Sequence, residues 1–280
     1  MTSPTSTTYH ILNLGAGVQS TTLYLMFMRG EIQPHIDYAI FADTQEEPQA
    51  VYRHLAWLQS LGGPPILIRT AGKLGDNLTP VKGKRWTFLP NFMRMPDGSL
   101  SRAGRRGCTS TFKVEVVQRA IREDVLGLRR GQRWPLGVVI HGYYGISLDE
   151  ARRSTSIRER CKTSRAWETP HFPLIDKFMT RADCTRWLQA FPVPHVVPKS
   201  ACTFCPFHDD RAWETLKETD PEGWARAIQI ERLVQGNGLQ TRMGIPYLHR
   251  SCKPLAEIDF RRVEPTFPLF ALECEGMCGV

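Results

Sequence analysis

The chain has 280 residues, of which 41% are hydrophobic, and a net charge of +8 at pH 7. This is enough for one large domain or two unequal ones, and no apolar run approaches the roughly 20 residues of a membrane span, so a membrane-spanning function is excluded. The positive charge favours an anionic partner, either a nucleotide or a nucleic acid.

The chain starts with the polar stretch "MTSPTSTTYH", which has neither the basic nor the apolar region of a secretory signal. We therefore expect a cytoplasmic protein with no membrane association. In that compartment the eight cysteines are expected to be reduced thiols, metal ligands or catalytic groups, not a disulfide scaffold.

Short β-rich runs alternate with helical patterns in the first half of the chain. Four apolar runs predict buried strands, at 9–14, 37–42, 65–69 and 136–143. Helical spacing follows at 21–29 and at 48–59, where Glu46 and Glu47 precede the helix as acids commonly do. The alternation predicts an α/β fold, a doubly wound parallel sheet with helices on both faces.

The second half of the chain has a different character. Strand patterns fade after about residue 170, and helical patterns follow at 181–191, 209–219 and 221–235. We therefore expect an α/β domain over 1–170 and a mainly helical, cysteine-bearing region over 171–280. The segment 72–106 is rich in Gly, Pro, Arg and Lys and is interpreted as a basic insertion in the first domain.

The stretch "LNLGAGVQSTTLYLM" is typical of a strand, a tight turn and a helix in succession. It lacks the lysine of a Walker loop, and Ser20 occupies the position of the third glycine of a dinucleotide fingerprint. A glycine turn at a helix N-terminus remains, in which Gly15 and Gly17 let an anion approach while Ser20 and Thr21 donate to it. The alternative is a plain strand–helix turn capped by Ser20.

Asp43 and Thr44 follow the second predicted strand directly. Open parallel sheets bind ligands at the carboxyl ends of their strands, where an acid can hold a ribose hydroxyl or a hydrated Mg²⁺. The alternative role of Asp43 as a helix cap is weaker, because Glu46 and Glu47 lie closer to the predicted helix start.

The segment "PKSACTFCPF" places Cys202 and Cys205 at a spacing that suits two thiolates on one metal centre. A structural metal site needs three or four ligands, so one such pair cannot complete it. A 4Fe–4S cluster, a Zn²⁺ site and a redox dithiol all remain open for this pair.

The motifs "GAGVQSTT" and "FADTQEEPQAVYRHL" resemble the PP-loop ATP pyrophosphatases, in particular the branch around phosphoadenosine phosphosulfate reductase. The resemblance continues through "GCTSTFKVEVVQRAI", "GISLDEARR" and "SACTFCPFHDDRAWETL". One departure is Gln19, which stands where the family usually has an acid that contributes to a loop-bound metal site.

The resemblance implies an adenine nucleotide α-hydrolase-like, Rossmann-like fold that binds ATP or a related adenine nucleotide. The residues it assigns to the nucleotide are Gly15, Ala16, Gly17, Gln19, Ser20, Thr21, Asp43, Thr44, Arg106 and Lys113. It also places Cys108 with Cys202 and Cys205 as metal ligands and favours a 4Fe–4S cluster over Zn²⁺.

The last residues, "LECEGMCGV", are similar to the Glu-Cys-Gly tail of phosphosulfate reductases, whose cysteine attacks sulfur. This similarity makes Cys274 and Cys278, together with Asp43, the candidate catalytic residues. A tail with incidental thiols is the alternative.

The segment "GISLDEARR" offers Asp149 and Glu150 to position a ligand and Arg152 and Arg153 to clamp a phosphate. A solvated helix start with mixed charge explains the same residues equally well.

Two enzymes fit these motifs: a sulfurtransferase acting on nucleic acid or a small molecule, and a phosphosulfate-type reductase. Either would need a sulfur donor or a thiol reductant protein as a partner. A zinc-stapled nucleic-acid-binding protein without catalysis would explain the charge and the cysteines but not the glycine loop. None of these features indicates an oligomeric state.

Overall fold

The computed structural model describes residues 7–81, 86–103, 106–236 and 244–260. Its strands are β1 (Thr7–Asn13), β2 (Tyr38–Asp43), β3 (Ile66–Thr70), β4 (Asn91–Arg94), β5 (Leu100–Ala103), β6 (Val138–Tyr144), β7 (Glu168–His171) and β8 (Ile245–Tyr247). Its α-helices are α1 (Val18–Met28), α2 (Gln49–Ser60), α3 (Gly107–Thr109), α4 (Glu115–Ala120), α5 (Arg152–Ser164), α6 (Pro173–Asp176), α7 (Arg181–Gln189), α8 (Asp210–Thr219) and α9 (Pro221–Gly236).

A five-stranded parallel sheet has the order β3-β2-β1-β6-β7. Side chains of β1 alternate between two apolar layers, with Leu12 packed against α1, α2 and α7 on one face and Ile11 packed against α4 on the other. Because both faces are covered, β1, β2, β3 and β6 are largely apolar runs, which is why the sequence revealed them. The fifth strand, β7, has the sequence ETPH and was not predicted. The predicted α/β class with a parallel sheet flanked by helices is confirmed.

The order in which strands are added to the sheet changes direction at β1. From β1 the chain goes outward to β2 and β3 on one side, and later to β6 and β7 on the other. In open parallel sheets the crevice at such a point, beyond the carboxyl ends of the strands, is the usual ligand-binding position. The loop that contains Gly15 and Gly17 leaves β1 at this edge.

The segment 107–125 is one continuous helical stretch, in which α3 and α4 alternate with π-helical turns at Ser110–Val114 and Ile121–Val125. Its C-terminal half packs on β2 and β3. Its N-terminal end, like those of α1 and α5, follows the carboxyl edge of the sheet, so three helix starts surround that edge.

The insertion and the C-terminal region share a second apolar core. Leu74, Leu89 and Phe112 pack with Trp213 and Ile230 in one buried cluster. A small antiparallel sheet of order β5-β4-β8 also joins the two regions, with Met93 opposite Pro246. The described parts of the segment 72–106 therefore belong to a structured layer, and the sequence patterns gave no sign of β4, β5 or β8.

The hydrophobic core around the parallel sheet continues past the domain boundary that was expected at residue 170. Leu174, Cys184 and Leu188 lie in the same buried cluster as Leu12 of β1, and α7 packs directly on α1. The first layer therefore extends through α7. Among the described residues, no helix has the length and apolarity needed to cross a membrane.

Candidate nucleotide and thiol site

The glycine loop is tightened by one of its own hydroxyls. The backbone N–H groups of Gly15 and Gly17 donate to Ser20 Oγ over 3.2 and 3.3 Å, while Ala16 adopts a left-handed φ of 57°. Gly17 is the N-cap of α1, so the first-turn N–H groups that follow it have no acceptor within the helix. The hydroxyl of Ser20 in turn donates to the Gly17 carbonyl over 3.3 Å. Ser20 therefore holds the turn, which matches its alternative role, and the N–H groups at the helix start are the candidate donors to an anion.

Two glycines let neighbouring backbone segments close around this loop. A Cβ on Gly17 would lie 3.0 Å from Ser200 Cβ, and a Cβ on Gly145 would lie 2.9 Å from the Cα and N atoms of Ser20. Ser200 precedes Cys202 by two residues. The loop is therefore in direct contact with the segment that enters the Cys-x-x-Cys turn.

The side chain of Gln19 bonds to the segment after β6 and to α7. Its side-chain amide donates to Glu150 Oε2 over 3.2 Å and to Ser147 Oγ over 3.4 Å, and its oxygen accepts from Arg181 over 3.1 Å. Burial raises the pKa of Glu150, and the nearby Arg153 partly offsets that effect. Gln19 therefore connects the loop to the segment after β6, a function that sequence reasoning did not assign to it.

Thr21 is fully buried and directs its hydroxyl into the interior. Its Oγ1 lies 2.8 Å from His54 Nε2, and His54 Nδ1 lies 2.9 Å from His195 Nε2. Burial, followed by the neighbouring His195, lowers the pKa of His54 to about 4. The structure thus places the hydroxyl of Thr21 in a buried hydrogen-bond relay, not toward the sheet edge, and neither histidine was singled out from the sequence.

Asp43 ends β2 and keeps its side chain partly exposed. Its Oδ1 accepts from the N–H of Gln45 over 2.7 Å and from the hydroxyl of Tyr52 over 2.9 Å. Burial and the neighbouring Asp43 raise the pKa of Tyr52 above its usual range, so this hydroxyl remains a donor. Thr44, in contrast, is buried and donates to Glu47 over 3.0 Å.

Glu46 and Glu47 are buried carboxylates, although they were interpreted as the acidic start of a helix. α2 begins only at Gln49, after Pro48. Glu46 instead pairs with Arg226 of α9 at 2.6 Å. These acids therefore fasten the end of β2 to other segments.

Glu46 and Glu47 also contact three other segments at the carboxyl edge of the sheet. Glu46 accepts from the N–H of Gly75 over 3.2 Å through its carboxylate, and its backbone carbonyl accepts from the N–H of Thr203 over 2.7 Å. Glu47 lies 3.7 Å from the ammonium group of Lys113. The Cys-x-x-Cys turn is thus hydrogen-bonded directly to the segment after β2.

The three cysteines assigned to a metal line one small cavity. Cys108 faces it from α3, while Cys202 and Cys205 face it from a tight turn in which Cys205 N–H donates to the Cys202 carbonyl over 3.0 Å. Arg106 and Lys113 line the same cavity. The structure therefore brings together five of the residues that the sequence proposed for metal and phosphate binding.

The cavity that these thiols line is small, with a volume of about 30 Å³. No group of three or more His, Cys, Asp or Glu side chains within the described residues is arranged to hold a metal ion. Thiols are nevertheless the donor type that both a 4Fe–4S cluster and Zn²⁺ take. Cys274 and Cys278 lie outside the described residues.

A much larger cleft, of about 1,170 Å³, opens between the helical stretch 107–125 and the segment 148–165. Arg106 and Thr109 line both this cleft and the cysteine cavity. The acids and arginines singled out in "GISLDEARR" also line the cleft, namely Asp149, Glu150, Arg152 and Arg153. Glu150 in turn bonds to Gln19 of the glycine loop. The cleft therefore adjoins the cysteine cavity, and it is connected to the glycine loop through the bond between Glu150 and Gln19.

Comparisons of the chain with protein-family models, with curated proteins and with solved structures found no match.

Proposed function

We propose that the protein is a PP-loop enzyme of the adenine nucleotide α-hydrolase-like class that binds ATP or a related adenine nucleotide and transfers or reduces sulfur. The observation that carries this proposal is the contact between the two predicted centres. Gly17 of the loop packs against Ser200, and Ser200 leads into the turn of Cys202 and Cys205. A nucleotide phosphate on the loop would therefore lie next to the thiols.

In this proposal the N–H groups at the start of α1 bind the nucleotide phosphates, because the positive end of the helix dipole favours an anion there. The loop has no lysine of its own. Arg106 and Lys113, which line the cysteine cavity, supply the positive charge that neutralises the phosphates. Asp43 at the end of β2 accepts a ribose hydroxyl or holds a hydrated Mg²⁺.

The proposed reaction begins with attack of an acceptor oxygen on the α-phosphorus of ATP. The new bond is P–O to the acceptor, the broken bond is the one to the β-phosphate oxygen, and pyrophosphate leaves with the electron pair. The adenylated carbon is then open to a sulfur nucleophile, and AMP leaves. Cationic side chains at the cavity stabilise the departing phosphate oxygens.

Cys108, Cys202 and Cys205 are the proposed ligands of the thiol centre. A 4Fe–4S cluster, or Zn²⁺ as the alternative, would supply a site that binds and activates sulfur when it is present. What the chain itself contributes is a set of thiols close to Arg106 and Lys113, whose positive charge favours the thiolate form.

The test is conversion of ATP to AMP and pyrophosphate by the wild type and by Asp43→Asn. The substitution removes the charge while keeping the shape, so we expect turnover to fall about tenfold or more, equivalent to about 1.4 kcal/mol. Asp97→Asn, which changes an exposed acid in a turn bonded to Ser99, is the matched control. Equal turnover in both variants would remove Asp43 from the site. If the wild type converts no ATP to AMP with any of the acceptors tried, the enzyme assignment is contradicted.

A further inference from the structure

Two arginine-lined grooves flank the helical stretch 107–125. The larger is the cleft of about 1,170 Å³ already described, and the smaller, of about 510 Å³, lies on the other flank of the same helical stretch. Glu115 and Gln118 line both grooves. The two grooves are therefore separated only by the exposed side of one helix, and a single extended ligand can occupy both.

The larger groove has an excess of positive charge. Against three acids, five arginines line it, namely Arg106, Arg152, Arg153, Arg160 and Arg165. Two of them have carboxylate partners, because Arg153 pairs with Glu150 and Arg165 with Glu168. Arg160 is exposed and bonds through Nε to a neutral backbone carbonyl, that of Ser156. Its positive charge is therefore available to a ligand.

The smaller groove repeats this arrangement. Arg119, Arg122 and Arg130 line it, opposed by Glu115 and Glu123. The guanidinium groups of Arg119 and Arg122 donate to the backbone carbonyls of residues 70 and 132 over 2.5 and 2.7 Å. Such bonds orient a guanidinium without neutralising it, so its charge remains for an anion.

An aromatic pair stands at the smaller groove. Trp86 lines it, and the ring centroids of Trp86 and Phe88 are 4.3 Å apart. Phe88 is 41% exposed, which is unusual for a large apolar side chain next to a second aromatic ring. Positive grooves with exposed aromatic rings are the features by which proteins bind single-stranded nucleic acid, through phosphate contacts and base stacking.

We infer that these grooves form a binding track for single-stranded nucleic acid, which is the acceptor of the proposed sulfur chemistry. The inference thus rests on the proposed function for the role of the ligand, but not for its binding. The larger groove alone exceeds the 300–1,000 Å³ typical of small-molecule sites. A strand that occupies both grooves must curve around a helix about 10 Å wide, which a stiff duplex cannot do.

The geometry also relates the track to the thiols. Arg106 and Thr109 line both the larger groove and the cysteine cavity. A base that leaves the strand at this point would face the cavity, while its neighbours remain bound to arginines on either side. In this arrangement one nucleotide is positioned for reaction, and the contacts of the neighbouring nucleotides with the arginines provide the binding affinity.

The test is fluorescence anisotropy of a labelled single-stranded oligonucleotide of about 12 nucleotides, within the range of single-strand binding sites. RNA and DNA versions are titrated with the full-length protein without ATP, at several salt concentrations. We expect Arg152→Gln and Arg160→Gln each to weaken binding about threefold or more and to reduce the salt slope by about 0.7. Trp86→Ala is expected to weaken binding about fivefold or more while leaving the salt slope unchanged.

Arg211→Gln is the matched control, because Arg211 is exposed on α8 and lines neither groove. Equal affinity in the Arg152, Arg160 and Arg211 variants would overturn the track. Binding of a duplex as tightly as the single strand would also overturn the track. The same holds if an acidic peptide at equal charge concentration displaces the oligonucleotide. Binding without any ATP turnover would leave the track intact and contradict the proposed function, so the two failures are distinguishable.

Discussion

Gly17 and Ser200 are in backbone contact: a Cβ added to Gly17 would lie 3.0 Å from Ser200 Cβ and 3.3 Å from the Ser200 nitrogen. Gly17 begins α1, and Ser200 leads into the Cys-x-x-Cys turn. A displacement of either segment must therefore move the other. The absence of a side chain on the glycine allows this close approach, and under the proposed function it also leaves space for the nucleotide phosphate.

The first prediction concerns this contact. In Gly17→Val the branched side chain collides with Ser200, so we expect weaker nucleotide binding together with a loss of about 1–3 kcal/mol of unfolding free energy, as for overpacked interiors. Calorimetric titration with AMP and urea unfolding measure the two effects. Gly236→Ala is the control, because nothing lies within 4 Å of its added Cβ. Unchanged stability in Gly17→Val would show that the two segments are not in contact.

The second prediction concerns Gln19. In Gln19→Glu the bond donated to Glu150 is lost and two carboxylates face each other, while the contact with Arg181 can persist. We expect a loss of about 1–3 kcal/mol at pH 7. The loss should shrink at pH 5, because burial raises the pKa of Glu150 and the neutral acid can donate to the new carboxylate. Urea unfolding at both pH values, with the exposed Gln59→Glu as control, tests this; an equal loss at both pH values would contradict it.

The third prediction concerns His54, which is fully buried. Burial lowers its pKa to about 4 in the folded state, against about 6.5 in the unfolded chain. The unfolded state therefore binds more protons between these values, and stability must fall as the pH decreases through this window. We expect a loss of about 2 kcal/mol between pH 7 and pH 5 from this residue alone.

Replacing His54 by glutamine, which keeps hydrogen-bonding groups, should reduce that pH dependence. The exposed His35→Gln serves as the control. Unfolding free energies are compared for the three proteins at pH 7 and pH 5. An identical pH slope in wild type and His54→Gln would show that this histidine titrates normally in the folded protein.

The fourth prediction concerns the buried ion pair of Glu46 and Arg226. Arg226→Met leaves the carboxylate of Glu46 buried without its main cationic partner, and such losses are worth about 3–5 kcal/mol. The double variant with Glu46→Gln should lose less than the sum of the single losses, because no charge remains buried. Arg211→Met, on the exposed side of α8, is the control. Additive losses in the double variant would contradict a direct pair.

The fifth prediction concerns the thiols. Serine in place of Cys108, Cys202 or Cys205 should each reduce the metal content of anaerobically purified protein, since one of few ligands is lost. Iron, sulfide and zinc analysis distinguishes a cluster from a single ion. Cys161→Ser is the control, because Cys161 is buried in α5 outside the cavity. Full metal content in Cys108→Ser would remove Cys108 from the ligand set.

Sequence patterns predicted the central sheet well because its strands are covered on both faces. They missed β4, β5, β7 and β8, which have three or four residues each. Segments so short carry too few positions for a period to be visible, and the partner that β8 pairs with, β4, is remote in the chain. Their existence depends on tertiary contacts that no local pattern records.

The same limit applies to the site. Residue types and the family resemblance singled out Arg106, Cys108, Cys202 and Cys205, which the structure places around one cavity. They misjudged Glu46, because its partner Arg226 is 180 positions away. They also gave no role to His54, whose neighbour His195 is 141 positions away. Long-range partners determine whether a polar residue is a surface group or part of a buried network.

The pairing of β4 with β8 has a consequence for synthesis. Met93 leaves the ribosome more than half a chain length before Pro246, its partner in the small sheet. Until then Leu74, Leu89 and Phe112 lack most of the second core and the edge of β4 is unpaired. Nascent chains therefore expose an apolar surface and a strand edge for much of translation, and surfaces of this kind are prone to aggregation until they are covered.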